Sequence, residues 1–276
     1  MAGATGSTSS DSAPGSSIGL ERRGPVAWLT LRRPAAMNSL DGGMVAALTA
    51  ALKEIEADSA SRVVVVTGEG RAFCAGGDLK AVKARAGDSD PEAAADRFIA
   101  DVQALMLRLE RFPRPTIACV NGLAVGGGLE LLLCCDLVIA RRGAKIGDGH
   151  ANFGLLPGGG GSARLPRRIG AARAKLLMFT GDMLPAEELL AWGLVDRVAE
   201  PEALEEAVQA VAEKIGAKSP LGLARMKRLV DDSRDLSLDE ALARERAVMA
   251  DHRSSFDRAE GLAAFAAKRP PRFEGR

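Results

Sequence analysis

The chain has 276 residues, is 47% hydrophobic and 26% charged, and carries a net charge of +1. That balance describes a globular protein with enough chain for a sizeable core and no global attraction to nucleic acid or an anionic membrane. Two histidines and no tyrosine argue against a multi-histidine metal centre and leave His150 or His252 for any Ser-His-Asp arrangement.

Residues 1–17 are small and polar, with no apolar core and no basic start. A disordered tail is expected there rather than a signal or transit peptide. Val26–Leu31 reads as a strand, broken by Pro34. Asp41–Glu56 reads as a helix with Met44, Leu48, Leu52 and Ile55 on one stripe. Val63–Thr67 is a buried strand stopped by Gly68, and Gly70–Gly77 is a turn-rich loop with a helix start at Asp78. Residues 84–92 read as a flexible loop. Pro91 opens an amphipathic helix to Arg111, closed by Pro113 and Pro115. Next come a strand at Thr116–Val120, a Gly-rich turn that opens an apolar helix, a strand at Leu137–Ala140 and a short one near Lys145–Ile146. Gly158–Gly161 and Ser162 precede another helical segment. From Pro185 helices dominate, at 185–192, 201–215, 219–230, 238–250 and 257–267. This order argues an α/β body over 18–200 and a helical region over 201–276. Glu130 and Asp136 interrupt the longest apolar run, so no membrane span is expected. The terminal FEGR is no recognised lipidation or peroxisomal address. The four cysteines make no CxxC pair and read as small buried hydrophobes of a reducing, cytoplasmic compartment.

The segment richest in chemistry is VNGLAVGGGLELLLCCD, Val120–Asp136. Three glycines at the mouth of a helix leave backbone N–H groups approachable. Glu130 lies three residues after Gly127, on the same helix face. Helical side chains lean toward the N-terminus, which tips this carboxylate back over the turn. An amide for an oxyanion and an acid/base beside it are two parts of an acyl-type active site; a tight strand–helix turn with a chance acid is the alternative. A second Gly-rich turn, TGEGRAFCAGG, also follows a strand. Neither turn spells G-x-G-x-x-G in the strand–helix setting of a dinucleotide site, and no G-x-x-x-x-G-K-[ST] occurs. If the fold brings the two turns together, two amides converge on one oxygen. Cys74, in the second turn, shows no basic partner that would activate it and reads as packing rather than a nucleophile.

RPAAMNSL (33–40), GRAFCAGGDL (70–79), NGLAVGGGLELLLCCDLVIA (121–140) and GLLPGGGGSARLPRRIG (154–170), with WGLVDRV (192–198) and AFAAKRPPRF (264–273), resemble the crotonase, or enoyl-CoA hydratase/isomerase, superfamily. The resemblance runs from about residue 20 onward. It implies an α/β spiral of ββα repeats with a helical C-terminal region that trimerises, giving a homotrimer or a dimer of trimers. It further implies a CoA thioester substrate, with no separate cofactor, no metal and no nicotinamide. Two backbone amides would grip the thioester oxygen, and the carry-over puts them on Ala75 and Gly127. Ala75, Gly76, Gly77 and Asp78 would line the CoA-binding loop, with Ala36 and Met37 beside the pantetheine or adenine end. Hydratases of the family use two glutamates. The first falls on Glu130; at the second position stands His150, and no glutamate occurs between Glu130 and Glu187. His150 is therefore either the acid/base partner, helped by Asp148, or a wall of the pocket. Arg164, Arg167 and Arg168 would greet CoA phosphates or form a solvated or intersubunit face. Lys268 and Arg269 fall where the family's tail approaches a neighbouring subunit's CoA, and His252 is expected at the surface. The implied activity is hydration of a 2-enoyl-CoA through an oxyanion-stabilised enolate. Isomerase, decarboxylase or hydrolase chemistry in the same fold, a non-catalytic CoA-thioester-binding homologue and an NAD(P)-binding oxidoreductase are the alternatives.

Overall fold

The computed structural model describes residues 16–78 and 90–276. The expected tail, apart from its last two residues, the helix beyond Asp78 and most of the 84–92 loop lie outside the described residues.

Six strands form a larger sheet. They are β1 (Ile18–Arg23), β2 (Val26–Leu31), β3 (Val63–Gly68), β5 (Thr116–Val120), β7 (Leu137–Arg141) and β10 (Arg197–Ala199), in that spatial order. β1 and β2 are an antiparallel hairpin, and every later pairing is parallel. A parallel sheet has to be covered on both faces, and the sequence alternates accordingly. Ala27, Leu29, Val64, Val66, Ala118, Val120, Val138 and Ala140 enter the main core. Val26, Trp28, Val63, Val65, Ile117, Cys119 and Ile139 enter a second cluster. That second face is closed by Leu204, Val208 and Ala212, all on α7 (Leu204–Gly216).

A smaller sheet is built from three-residue strands, β4 (Ala72–Cys74), β6 (Leu123–Val125), β8 (Lys145–Gly147) and β9 (Met183–Pro185). Each turn of the chain gives one strand to each sheet and then helical structure. β3 and β4 lead toward α2 (Pro91–Glu110), and β5 and β6 to α3 (Gly127–Leu133). β7 and β8 lead to a short 3-10 turn, His150–Phe153, and then α4 (Gly161–Ile169). This is the expected spiral of ββα repeats. α1 (Gly42–Ala57) crosses earlier; the Asp41 side chain caps it by accepting from Met44 N. The remaining helices are α5 (Ala171–Thr180), α6 (Ala186–Trp192), α8 (Pro220–Asp232), α9 (Leu238–His252) and α10 (Phe256–Ala266).

The crossing from the larger to the smaller sheet is made at glycine. A Cβ on Gly68 would sit 2.3 Å from the Ala72 carbonyl oxygen, and one on Gly122 2.1 Å from that of Arg71. Such contacts tolerate no side chain. They bring the ends of β4 and β6 side by side, which is where the candidate site forms.

Candidate active site

The two Gly-rich turns meet. A Cβ on Gly76 would lie 3.3 Å from the Gly127 nitrogen, and one on Gly127 would lie 3.4 Å from the Gly77 nitrogen. A Cβ on Gly128 would strike the Cys74 carbonyl oxygen at 2.0 Å, so α3 starts in backbone contact with the end of β4.

The amides at this junction differ from those the sequence comparison assigned. Ala75 N–H donates to the Met37 carbonyl at 3.0 Å and is spent on holding that segment. Gly77 is the residue bridged to Leu40: Leu40 N–H donates to Gly76 O at 2.7 Å and Asp78 N–H to Leu40 O at 2.9 Å. In this parallel pattern the bridged residue turns its own N–H away from its partner, here to the side of Gly127. Gly76 has φ +93, a left-handed kink that breaks the simple alternation between Ala75 and Gly77. Among the described residues, neither Gly77 N–H nor Gly127 N–H has a protein acceptor. The pair of open amides is thus Gly77 and Gly127, and Ala75 is corrected to a structural donor.

Glu130 stands at the next turn of α3, 3% exposed. Its Oε1 accepts from Gly159 N–H and Gly161 N–H, both at 2.8 Å, which leaves Oε2 without a protein partner among the described residues. Burial pushes this carboxyl above its usual range, while the two amides and His150 pull it back. The amide-bearing loop is itself pinned. Arg164 Nη1 donates to Gly159 O and its Nη2 to Glu110, each at 2.8 Å, and Gln103 donates to Gly158 O. α3 is shorter than the apolar run, and where it ends the Cys134 and Cys135 thiols bond back to the Glu130 and Leu131 carbonyls.

His150 faces the same turn. A Cβ on Gly126 would lie 3.6 Å from its Nε2 and 3.7 Å from its Cε1. Its Nδ1 lies 3.1 Å from Asp148 Oδ2, at ion-pair distance but out of line for a hydrogen bond. The Asp148 carboxylate raises the imidazole above its usual value; burial opposes this, and Glu130 adds to it. The structure therefore brings Glu130, His150, Gly77 and Gly127 to one place.

Met37 and Asn38 both have positive φ, +51 and +56, after the single 3-10 turn Pro34–Ala36. Ala36 and Met37 thus border the 75–78 loop through the Met37–Ala75 bond. Asp78 takes Arg33 Nη2 at 2.9 Å. Asn38 was not singled out from sequence, yet it is fully buried and ties Arg33 N, Glu69 O and Ala72 O together. An asparagine between the break at Pro34 and the helix start at Asp41 is a residue type that tolerates the left-handed region, and that is the signal that could have found it. The arginine cluster is engaged with carboxylates: Arg164 with Glu110, Arg167 with Asp235 and Arg168 with Asp196. Arg269 pairs with Glu260. His252 is partly exposed, and its Nδ1 lies 2.7 Å from Arg225 Nη1.

The family model described as enoyl-CoA hydratase/isomerase matches residues 21–276. The (E)-benzylidenesuccinyl-CoA hydratase of Thauera aromatica is 38% identical over 261 residues, covering 94% of this chain and 99% of that protein. The 1,2-epoxyphenylacetyl-CoA isomerase of Escherichia coli is 38% identical over 253 residues, covering 91% and 95%. The crystal structure of an enoyl-CoA hydratase from Bacillus anthracis is similar with a TM-score of 0.89 at 36% identity, covering 94% of this chain and 100% of that one.

Proposed function

The chain belongs to the enoyl-CoA hydratase/isomerase, or crotonase, family and is an enzyme of acyl-CoA thioesters; from that premise we propose that it adds water across the C2–C3 double bond of a 2-enoyl-CoA. The observation that carries this reading is the buried Glu130, its Oε1 held by two amides, beside two open glycine amides. The thioester oxygen accepts from Gly77 and Gly127. Glu130 Oε2 takes a proton from water as its oxygen adds to C3. Negative charge passes through C2 to the thioester oxygen, where both donors stabilise it. The protonated His150 ring gives its Nε2 proton to C2 and keeps the one on Nδ1, and exchange with solvent resets both groups. These steps use no metal and no nicotinamide; CoA enters as part of the substrate.

The test is incubation of the purified protein with crotonyl-CoA in H2(18)O. The expected product is 3-hydroxybutyryl-CoA with one label at C3. A product of unchanged mass with a moved double bond would replace hydration by isomerisation. Binding without turnover would favour a non-catalytic CoA-thioester-binding protein.

The reading extends to assembly and location. Phe153, Leu156, Phe179, Leu238 and Phe265 are strongly exposed. A trimer or dimer of trimers would cover them, and a monomer-sized species by light scattering at micromolar concentration would count against this. No helix among the described residues is long and apolar enough to cross a membrane. The four free, buried cysteines suit a reducing compartment, and the cytoplasm is the proposed site of action.

A further inference from the structure

We propose that Asp148 is the positioning residue for His150: its Oδ2 accepts the Nδ1–H of the ring and so aims Nε2 at the glycine turn where the thioester reacts. This rests on the reading above for what happens at Nε2, but not for the pairing itself.

The pairing is argued from burial. Asp148 is 1% exposed. Its Oδ1 accepts from the His150 backbone N–H at 3.2 Å, which fixes the carboxylate against the ring. Oδ2 and His150 Nδ1 are both buried, and neither has a hydrogen-bond partner. Buried polar atoms left in that state are costly. At 3.1 Å each is the nearest relief for the other. The ring needs only a small turn to bring them into line, and such bonds commonly tighten when substrate binds.

The backbone supports the same orientation. Gly126 N–H donates to Gly147 O at 3.2 Å, which ties the segment carrying Asp148 to the turn carrying the Gly127 amide. Gly149, between the two side chains, has φ +69, and a Cβ there would strike Val125 Cγ2 at 2.6 Å. The edge of the ring away from Asp148 therefore rests against Gly126, where Nε2 would be 3.6 Å from a built Cβ. A carboxylate that orients an acid/base ring from behind is a recurring catalytic arrangement. The charged groups that bear on this ring are Asp148 and Glu130; Arg164 bears on Glu130 one step further away.

The two histidines of the chain should then be opposite tautomers. Arg225 can only donate, so His252 Nδ1, 2.7 Å from it, accepts and carries its proton on Nε2. His150 carries its own on Nδ1. Two-bond nitrogen–proton spectra of the histidine-labelled full chain, without substrate, read this directly, with His150→Gln assigning the signals. The expected result, read above the titration midpoint of the ring, is a neutral His150 of the Nδ1–H form in the wild type. In Asp148→Asn the form should become mixed and the titration midpoint should fall. In turnover with crotonyl-CoA, Asp148→Asn should lower kcat about ten- to a hundredfold, within the general acid–base contribution, leave KM nearly unchanged and move the alkaline limb to lower pH. A neutral Nε2–H form of His150 in the wild type overturns the proposal, as does an Asp148→Asn protein whose tautomer and pH limb match the wild type. If Asp148→Asn fails to fold, the wild-type spectrum decides. A wild-type Nδ1–H signal with no hydration would leave the pairing standing and reject the hydratase reading alone.

Discussion

Glu130 and His150 look onto the same glycine turn, but the fold holds them by different means. Glu130 is held by main chain, through two amides of a loop that Arg164 and Gln103 pin in turn. His150 has one side-chain carboxylate beside it, which accepts from its backbone N–H and lies 3.1 Å from its ring. A carboxylate seated on backbone has its place fixed by where glycines let the chain pass, and its charge set by burial. An imidazole backed by one carboxylate takes both place and charge from that partner. The first arrangement is hard to tune by point mutation without moving the loop; the second has one replaceable control.

The largest expected effect breaks the backbone-held side of this comparison. Glu130→Gln keeps an oxygen to accept from Gly159 and Gly161 but loses the base. Turnover should fall by about two to four powers of ten. Since burial raises the Glu130 carboxyl, its ionised form is disfavoured in the folded state. The stability linked to its protonation is full below 4.5 and is lost as pH rises through the folded value. The neutral variant escapes that loss, so its Tm at pH 7 should match or exceed that of the wild type. A much lower Tm with lost activity would make Glu130 a packing residue. Gly159→Ala should act almost as strongly without touching an acid. Its Cβ would come within 2.7 Å of Glu130 Oε2, pushing the carboxylate from its seat. A loss of about a hundredfold in kcat is the scale of a misplaced reacting group. Unchanged kinetics would show that Oε2 has room to move without consequence.

A pH profile sharpens the comparison, because each group should own one limb. In the proposed hydration Glu130 works ionised and His150 works protonated. Both lie above their ordinary values of 4.5 and 6.5. Activity should therefore fall on the acid side with a midpoint above 4.5, and on the alkaline side with a midpoint above 6.5. His150→Gln should abolish the alkaline limb and spare the acid one. The stability that His150 gains from Asp148 is full below 6.5 and is lost as pH rises through the raised folded value. A wild-type profile flat through that range would remove His150 from proton transfer and leave it a wall of the pocket.

The sequence was informative in proportion to the length of each element. β2, β3, β5 and the helix at Pro91–Glu110 carry enough apolar repetition to be read directly. β4 and β6 do not: at three residues each, inside Gly70–Gly77 and the Val120–Gly128 turn, they pass for loop. The smaller sheet they form is what sets the two turns side by side, so the convergence was a conditional statement until the fold was seen. Glu130 was legible from helix geometry alone. Ala75 was misplaced for a local reason: which amide faces the pocket depends on the left-handed kink at Gly76 and on the Leu40–Gly77 bridge, and neither has a signature in residue type. His150 was legible as a departure at a known position. Its relation to Asp148 was not, since spacing by two does not say whether two side chains face each other.

The smallest effect is expected at Cys74, which lies as near the junction as either acid/base group and differs from both in its surroundings. Its backbone carbonyl meets Gly128, and its thiol points to Gly76 O at 4.0 Å. It is fully buried, and burial pushes the thiol up to about 12. Its thiolate fraction at neutral pH is therefore negligible, and nucleophilic attack requires the thiolate. Treatment of the native protein with iodoacetamide at pH 7 should leave Cys74 unmodified by mass spectrometry and turnover unchanged. Rapid alkylation with loss of activity would mean that this turn opens in solution. The Gly77–Gly127 pair would then be assembled only when substrate closes it, and proximity to the junction would no longer separate a packing residue from a reacting one.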